Sequence, residues 1–207
     1  MSRVEGIVSL HDKLHGKRGR PPLAVSDTLR GALVLAFAAL DALTTDLLAA
    51  AVPEMARRGQ LGNRVERWAK ENPERVLECL TSTDSGAHLA TVLEEDLLGK
   101  LTFQRAERIE AGLRDIIGCQ LDWSAVAERL NGDDRIEGHQ WSAEDVKRHL
   151  NKYADRRNAI AHEGDLKPGK SSAMPIRRDY VEEAALLIEH VGEQIYVAIR
   201  STARHGL

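Results

Sequence analysis

Three polar side chains near the end of the chain, Arg157, Asn158 and His162, have the types and spacing for acid–base chemistry on a phosphate group. Histidine titrates near neutral pH and can donate or accept a proton, and the fork of donors on arginine fits phosphate oxygens. Asparagine transfers no proton, but it can orient a phosphate, a ribose or the histidine. On a helix, Asn158 and His162 project side by side, about a quarter turn from Arg157, so the three groups can converge.

The helix that carries these residues places Arg157 in an unusual position. Apolar residues recur at helical spacing and form one stripe, made of Val146, Leu150, Tyr153, Ala154 and Ala161. Arg157 falls inside that stripe, where an unpaired charge is costly. We therefore expect it to meet a carboxylate, a second subunit or a ligand phosphate. Asp41 is a candidate carboxylate if the first long helix packs on this one.

RNA is a substrate on which these groups would suffice without a metal. Its own 2′-hydroxyl is the nucleophile, so cleavage requires alignment of that oxygen, movement of a proton and stabilisation of charge on the phosphate. One such histidine per chain is too few for a separate acid and base. A homodimer that joins two motifs would supply two, and would explain an arginine on an apolar stripe.

The distribution of charge supports a polyanion site around the motif. The formal net charge is −3, yet residues 146–178 hold nine Lys/Arg and three Asp/Glu, whereas the rest of the chain holds 20 and 29. A solvated helix face followed by a basic loop would give the same count. The candidate RNA-binding residues are Lys152, Arg156, Lys167, Lys170, Arg177 and Arg178. The candidate modulating residues are Tyr153, Asp155 and Glu163.

Composition and periodicity predict an all-α fold. Only eight of 207 residues are aromatic, no strand alternation persists, and four main helices are expected near 26–51, 102–117, 142–162 and 179–203. The inward face is expected to include Leu33 and Phe37 on the first main helix, and Val181, Ala184, Leu187, Ile188, Val191, Ile195 and Ile199 on the last. Ser142 with Asp145 is expected to cap the third main helix, and Gly118 to stop the second. Shorter helices are expected near 54–70, 73–81 and 86–98. They complete an up-and-down helical bundle domain over residues 26–207, after a basic, partly extended arm at residues 1–25.

Other features of the sequence predict a cytoplasmic protein without cofactors. Cys79 and Cys119 match no metal or disulfide pattern, and the apolar run 31–52 contains Asp41 and Asp46. A central aspartate costs roughly 2.5–3.5 kcal/mol in a bilayer, so this run is interpreted as a buried helix and no membrane partner is expected. His11 and His15 have the spacing of metal ligands but no third ligand nearby, and no metal site is predicted.

Three segments of the chain resemble the HEPN domain superfamily, and its RiboL-PSP type in particular. Arg157-Asn158 followed by His162 matches the family signature of arginine, four to six residues and histidine, with asparagine directly after the arginine. The surrounding residues 153–164 are similar to the family's motif helix. Residues 29–41 are similar to its first long helix, and residues 101–109 to the segment upstream of Trp123. Together these segments cover most of residues 26–200.

The resemblance implies a dimer through the motif helices and a metal-independent endoribonuclease that leaves 2′,3′-cyclic phosphate ends. Arg157 and His162 would be catalytic and Asn158 supporting, in a toxin–antitoxin, anti-phage or similar defence system with a possible antitoxin partner. Glu163 departs from the glycine common at that position. It would either raise the pKa of His162 or face water. Arg156 offers a competing spacing to His162, but it projects off the apolar stripe and is not followed by asparagine.

Two alternatives stay open at the level of sequence. Some HEPN domains keep the fold and act as non-catalytic modules that bind RNA, a nucleotide or a protein partner. The segment Arg18-Gly-Arg-Pro21 matches the core of an AT-hook, a motif that places arginines in the minor groove of A·T-rich DNA. It stands once and without further basic residues, so a plain basic linker, or an arm that touches RNA or a partner subunit, is the preferred interpretation.

Overall fold

The structure, a computed structural model, describes residues 2–15, 23–135, 138–166 and 173–204. Over these residues the fold is all-α, as predicted, and the only extended pairing is an isolated antiparallel bridge between Leu166 and Ala173. The described helices are α1 (Ser2–His15), α2 (Leu23–Arg57), α3 (Asn63–Glu71), α4 (Pro73–Thr81), α5 (Ser85–Asp96), α6 (Ala106–Ile117), α7 (Trp123–Asn131), α8 (Ala143–Glu163) and α9 (Arg178–Arg204). A short 3₁₀ turn, Leu98–Lys100, follows α5. The four predicted main helices correspond to α2, α6, α8 and α9.

The chain divides into two compact units. The first comprises Met1–Leu40 and Trp123–Val191, and the second comprises Asp41–Asp122 and Gly192–Leu207. Helices α2 and α9 each contribute residues to both units. Arg157, Asn158 and His162 belong to the first unit.

Helix α1 belongs to the first unit and lies within residues 1–25, which the sequence predicted to be a basic, partly extended arm. Val4, Val8 and His11 on α1 are each only 4% exposed. Burial of each valine contributes roughly 1.5–3 kcal/mol, which is enough to hold a short amphipathic helix in place. Ordered structure therefore precedes Ser26. The AT-hook-like segment lies within residues 16–22, outside the described residues.

Helix α2 is longer than the sequence predicted, because it continues through Pro53 to Arg57. A proline inside a helix removes one backbone hydrogen bond and usually ends or kinks it. Here Val52 and Met55 on either side are fully buried, and their packing outweighs that loss. The predicted inward face is confirmed at Leu33 and Phe37, which are both inaccessible to solvent.

Within the described residues, Val25–Arg57 of α2 is long and apolar enough to cross a bilayer. The central helix of a soluble protein passes the same criteria of length and hydropathy. Of the apolar window, 44% is buried inside the structure.

In the second unit, helices α3 and α6 begin later in the chain than the sequence predicted. Helix α3 begins at Asn63 rather than near residue 54, because the chain turns through Gly59 with a φ of +66°. Helix α6 begins at Ala106 rather than after Thr102. Asp41 accepts hydrogen bonds from the Phe103 amide (2.5 Å) and from the Gln104 side chain (3.3 Å). Asp41, the carboxylate that the sequence suggested as a partner for Arg157, instead binds Phe103 and Gln104. These hydrogen bonds keep the two residues outside α6.

Helix α9 is confirmed in both its position and its buried face. It spans Arg178–Arg204, close to the predicted range of 179–203. Seven apolar residues predicted to point inward are all buried: Val181, Ala184, Leu187, Ile188, Val191, Ile195 and Ile199.

Candidate active site on helix α8

The start of α8 is set by a capping box. The Ser142 hydroxyl oxygen accepts a hydrogen bond from the Asp145 amide (3.2 Å), and the Asp145 carboxylate accepts one from the Ser142 amide (3.2 Å). This reciprocal pair satisfies two amides that the helix itself cannot bond. Hydrogen bonds from the hydroxyl and amide of Ser142, with Arg148 nearby, lower the pKa of Asp145 to about 2. The predicted helix start is confirmed.

The apolar stripe of α8 is confirmed in its first three turns and wrong at its end. Val146, Leu150, Tyr153 and Ala154 are buried, whereas Ala161 is exposed. Helix α7 packs on α8, whereas Ala161, His162 and Glu163 in its last turn are exposed. The buried stripe therefore ends at Ala154, about two turns before the motif histidine.

Tyr153 anchors the middle of α8. Its ring lies edge-on to that of Tyr180, with centroids 4.9 Å apart. Burial and a hydrogen bond with Glu183 hold the pKa of the Tyr153 phenol well above its ordinary value. Tyr153 is therefore a neutral packing residue beneath the motif, and it lies too deep to meet a substrate.

Arg157 and Asn158 are joined directly. The Arg157 Nη1 donates to Asn158 Oδ1 at 3.1 Å, and both side chains are half-buried. The Arg157 Nε is buried and has no hydrogen-bond partner in the part of the chain that the structure describes. Among the described residues no carboxylate pairs with Arg157, so the guanidinium keeps donors available for an external anion.

His162 lies in the last turn of α8 and is exposed to solvent. Its ring makes no hydrogen bond to another described side chain, and Glu163 beside it is exposed without an ion pair to the ring. Of the two interpretations of Glu163, the structure favours the water-facing one. The imidazole is accessible to a ligand or a second subunit.

The end of α8 is built by two consecutive residues in the left-handed region. Gly164 has a φ of +62° and Asp165 a φ of +59°. The Asp165 amide donates to the Ala159 carbonyl at 3.0 Å, and its carbonyl accepts from the Met174 amide at 2.7 Å. These bonds close the helix and return the chain to it through the Leu166–Ala173 bridge.

Arg156, one of the predicted RNA contacts, points into a buried ion cluster. Its Nη2 donates to Asp165 Oδ2 at 2.7 Å and to the carbonyls of Met174 (3.2 Å) and Pro175 (3.1 Å). The side chain is only 17% exposed, and that of Asp165 is 0% exposed. A guanidinium committed to a buried carboxylate and two carbonyls is poorly placed to bind a phosphate.

Arg30 is the second cation of this cluster. Its Nε donates to Asp165 Oδ2 at 2.8 Å and its Nη2 to the Met174 carbonyl at 2.6 Å. No role was predicted from the sequence for Arg30 or Asp165. The one sequence feature that could have singled out Arg30 was its position on the apolar face of α2. Nothing local marks Asp165 as its partner 135 residues away.

The other predicted RNA-binding residues that the structure describes, Lys152, Arg177 and Arg178, have different surroundings. Lys152 and Arg177 line a cavity of about 420 Å³ beside α8, together with Arg156 and Tyr180. Arg178 is paired with Asp12 and Glu182, each at 2.8 Å, and Arg177 is paired with Asp179 at 2.6 Å. Asp155 is exposed and lines the same cavity as Lys152. Lys167 and Lys170 lie outside the described residues.

No protein-family model matches the sequence, and no curated protein or solved structure is similar to it.

Proposed function

We propose that the protein is a metal-independent endoribonuclease of the HEPN type, with Arg157, Asn158 and His162 as its active-site residues. The observation that carries this proposal is the state of Arg157. Its half-buried guanidinium has an unpartnered Nε, is oriented by Asn158 and has no carboxylate partner among the described residues. A charge held in this way is stabilised when an anion such as a phosphodiester binds.

The reaction follows from the roles that these groups can take. One imidazole removes the proton of the ribose 2′-hydroxyl, whose oxygen attacks the adjacent phosphorus. The bond from phosphorus to the 5′ oxygen breaks, and a second imidazole, in its protonated form, supplies the proton to that leaving oxygen. Arg157 stabilises the charge on the phosphate oxygens. The products are a 2′,3′-cyclic phosphate and a 5′-hydroxyl end.

Two copies of the chain would complete this site. The reaction uses one base and one acid, and each chain contributes one motif histidine, His162. Exposure of Ala161 and His162 in the last turn of α8 leaves a surface on which a second copy of that helix can pack. We therefore propose a homodimer through α8, with Lys152 and Arg177 guiding RNA along the adjoining cavity.

The proposed setting is a cytoplasmic toxin–antitoxin or anti-phage system with an antitoxin or similar partner. Only the resemblance to HEPN proteins supports this part of the proposal. The rival function is a non-catalytic HEPN module that binds RNA, a nucleotide or a protein through the same residues.

The test is cleavage of RNA in EDTA. Purified protein is incubated with tRNA, mRNA and rRNA, and the ends of the products are mapped. We expect cyclic phosphate ends from the wild type and none from His162→Ala. His88→Ala, which removes a half-buried histidine of the second unit, is the matched control and should cleave normally. If the wild type cleaves none of the three RNAs, the enzyme proposal is wrong and the binding module replaces it.

A further inference from the structure

A second cationic site lies in the second unit, away from the motif helix in sequence. Helix α3, the 3₁₀ turn and α6 enclose a cavity of about 610 Å³, a volume within the usual range for small-molecule sites. Three cations line it: Arg64 and Arg67 from α3, and Lys100 from the 3₁₀ turn. None of the three forms an ion pair with a residue in the described part of the chain.

Three carboxylates also line the cavity, and two of them are paired with arginines outside it. Asp96 is paired with Arg75 at 3.3 Å, and Asp115 with Arg114 at 2.9 Å. Glu71, at the far end of α3, is exposed and lines the cavity without an ion pair among the described residues. The cavity therefore combines three cations that form no ion pair in the described part of the chain with one carboxylate, Glu71, that is available as an acceptor.

The wall of the cavity is rigid where α3 meets α6. The Gly62 amide donates to the Ile116 carbonyl at 2.8 Å, and a Cβ at Gly62 would lie 2.3 Å from the Asp115 carbonyl. Only glycine permits so close an approach. Trp68, which is 7% exposed, and Leu97 supply the apolar part of the wall.

We propose that this cavity binds a small phosphate monoester of sugar-phosphate or nucleotide size. Arg64, Arg67 and Lys100 hold the phosphate, because guanidinium and ammonium groups are its preferred partners. Glu71 accepts hydrogen bonds from hydroxyl or amino groups, and Trp68 contacts the apolar part of the ligand. The inference is independent of the ribonuclease proposal, since it uses none of the motif residues.

The test is calorimetric titration of the full chain with inorganic phosphate, ribose 5-phosphate and AMP. Arg67→Gln and Lys70→Gln each remove one positive charge from α3, and Lys70 is exposed outside the cavity. We expect Arg67→Gln to weaken binding of the monoesters about tenfold, and Lys70→Gln to change it less than about twofold. Affinity that increases from phosphate to ribose 5-phosphate or AMP identifies the part of the ligand that is recognised.

Two results would overturn the proposal. One is the absence of binding by the wild type for all three probes up to about 10 mM. The other is an effect that does not single out Arg67. This means either equal weakening of monoester binding by Arg67→Gln and Lys70→Gln, or loss of that binding only in Arg157→Gln. Circular dichroism of all three variants, and a cleavage assay of Arg67→Gln and Lys70→Gln, establish that the fold and the α8 site are intact.

Discussion

Two adjacent arginines on α8 have opposite surroundings. Arg156 is fixed by the buried Asp165 carboxylate and by two carbonyls, whereas Arg157 is held only by Asn158 and has no carboxylate partner among the described residues. A paired buried charge contributes to the fold, while an unpaired half-buried charge is a candidate for binding an anion. The two residues should therefore respond differently to the same substitution.

Replacing each arginine by glutamine separates the two roles. Arg156→Gln leaves Asp165 with Arg30 alone and should lower the free energy of unfolding by about 1–3 kcal/mol. Arg157→Gln should change the free energy of unfolding by less than about 0.5 kcal/mol but lower the cleavage rate at least about 100-fold. Urea denaturation and an RNA cleavage assay measure the two effects. Equal destabilisation by both variants would contradict this assignment.

Asp165 is the residue on which the end of α8 depends most. Asp165→Asn removes the only carboxylate that Arg30 and Arg156 share, and should lower the free energy of unfolding by about 3 kcal/mol or more. Glu163→Gln, an exposed carboxylate two residues earlier, is the matched control and should be close to neutral in urea denaturation. A stable Asp165→Asn variant would show that the cluster contributes little.

Both ends of helix α8 are fixed by the backbone and side-chain interactions of specific residues. The capping box at Ser142 begins the helix, and the left-handed pair Gly164 and Asp165 ends it. Because His162 lies in the last turn, its position depends on where the helix stops. The Leu166–Ala173 bridge and the Arg30–Asp165 pair hold that turn against the rest of the first unit.

The capping box makes the stability of α8 depend on pH. The pKa of Asp145 is about 2 in the folded chain, below its ordinary value of about 3.9 in an unfolded one. The unfolded chain therefore binds this proton first as the pH falls. The stabilisation is complete above about pH 4 and is lost as the pH falls toward 2.

The variant Asp145→Asn tests this dependence. It should be less stable than the wild type at pH 5, and the difference in free energy of unfolding should shrink as the pH approaches 2. Urea denaturation across this range measures it. Glu144→Gln removes a neighbouring exposed charge outside the capping box and is the control. A difference between wild type and Asp145→Asn that is constant with pH would contradict the prediction.

Although the net charge of the whole molecule is −3, each of the two units has a cavity lined by several cations. One adjoins α8, where Lys152 and Arg177 line a cavity, and the other is formed by Arg64, Arg67 and Lys100. The proposed ribonuclease uses only the first. If it acts as a dimer, its activity should depend on the combination of two chains.

Mixing of subunits tests the composite site. Wild type and His162→Ala are refolded together in varied proportions, and cleavage is measured per total protein. If both imidazoles are needed, activity falls as the square of the wild-type fraction, to about one quarter at equal amounts. If each chain acts alone, it falls to about one half. His88→Ala in place of His162→Ala is the control. A monomer by light scattering, or a linear fall in activity, would contradict the composite site.

Local sequence was sufficient for most of the helices and for the start of the candidate site. The buried face of α9, the capping box at Ser142 and the stop at Gly118 depend on neighbours within a few residues, so periodicity and capping residues predict them. The passage of α2 through Pro53 was not predictable in this way. It depends on how the flanking residues pack.

By itself, the sequence determined that the chain is helical and that Arg157, Asn158 and His162 share the end of one helix. Which of Arg156 and Arg157 is ion-paired depends on the tertiary structure. Asp165 reaches Arg156 and Arg30 because it lies in a left-handed turn, and the position of that turn depends on the packing of the first unit. Likewise, Arg64 and Lys100 converge only after α3 and the 3₁₀ turn have packed. Helical spacing restricts where a side chain points, but its partner is set by contacts distant in sequence.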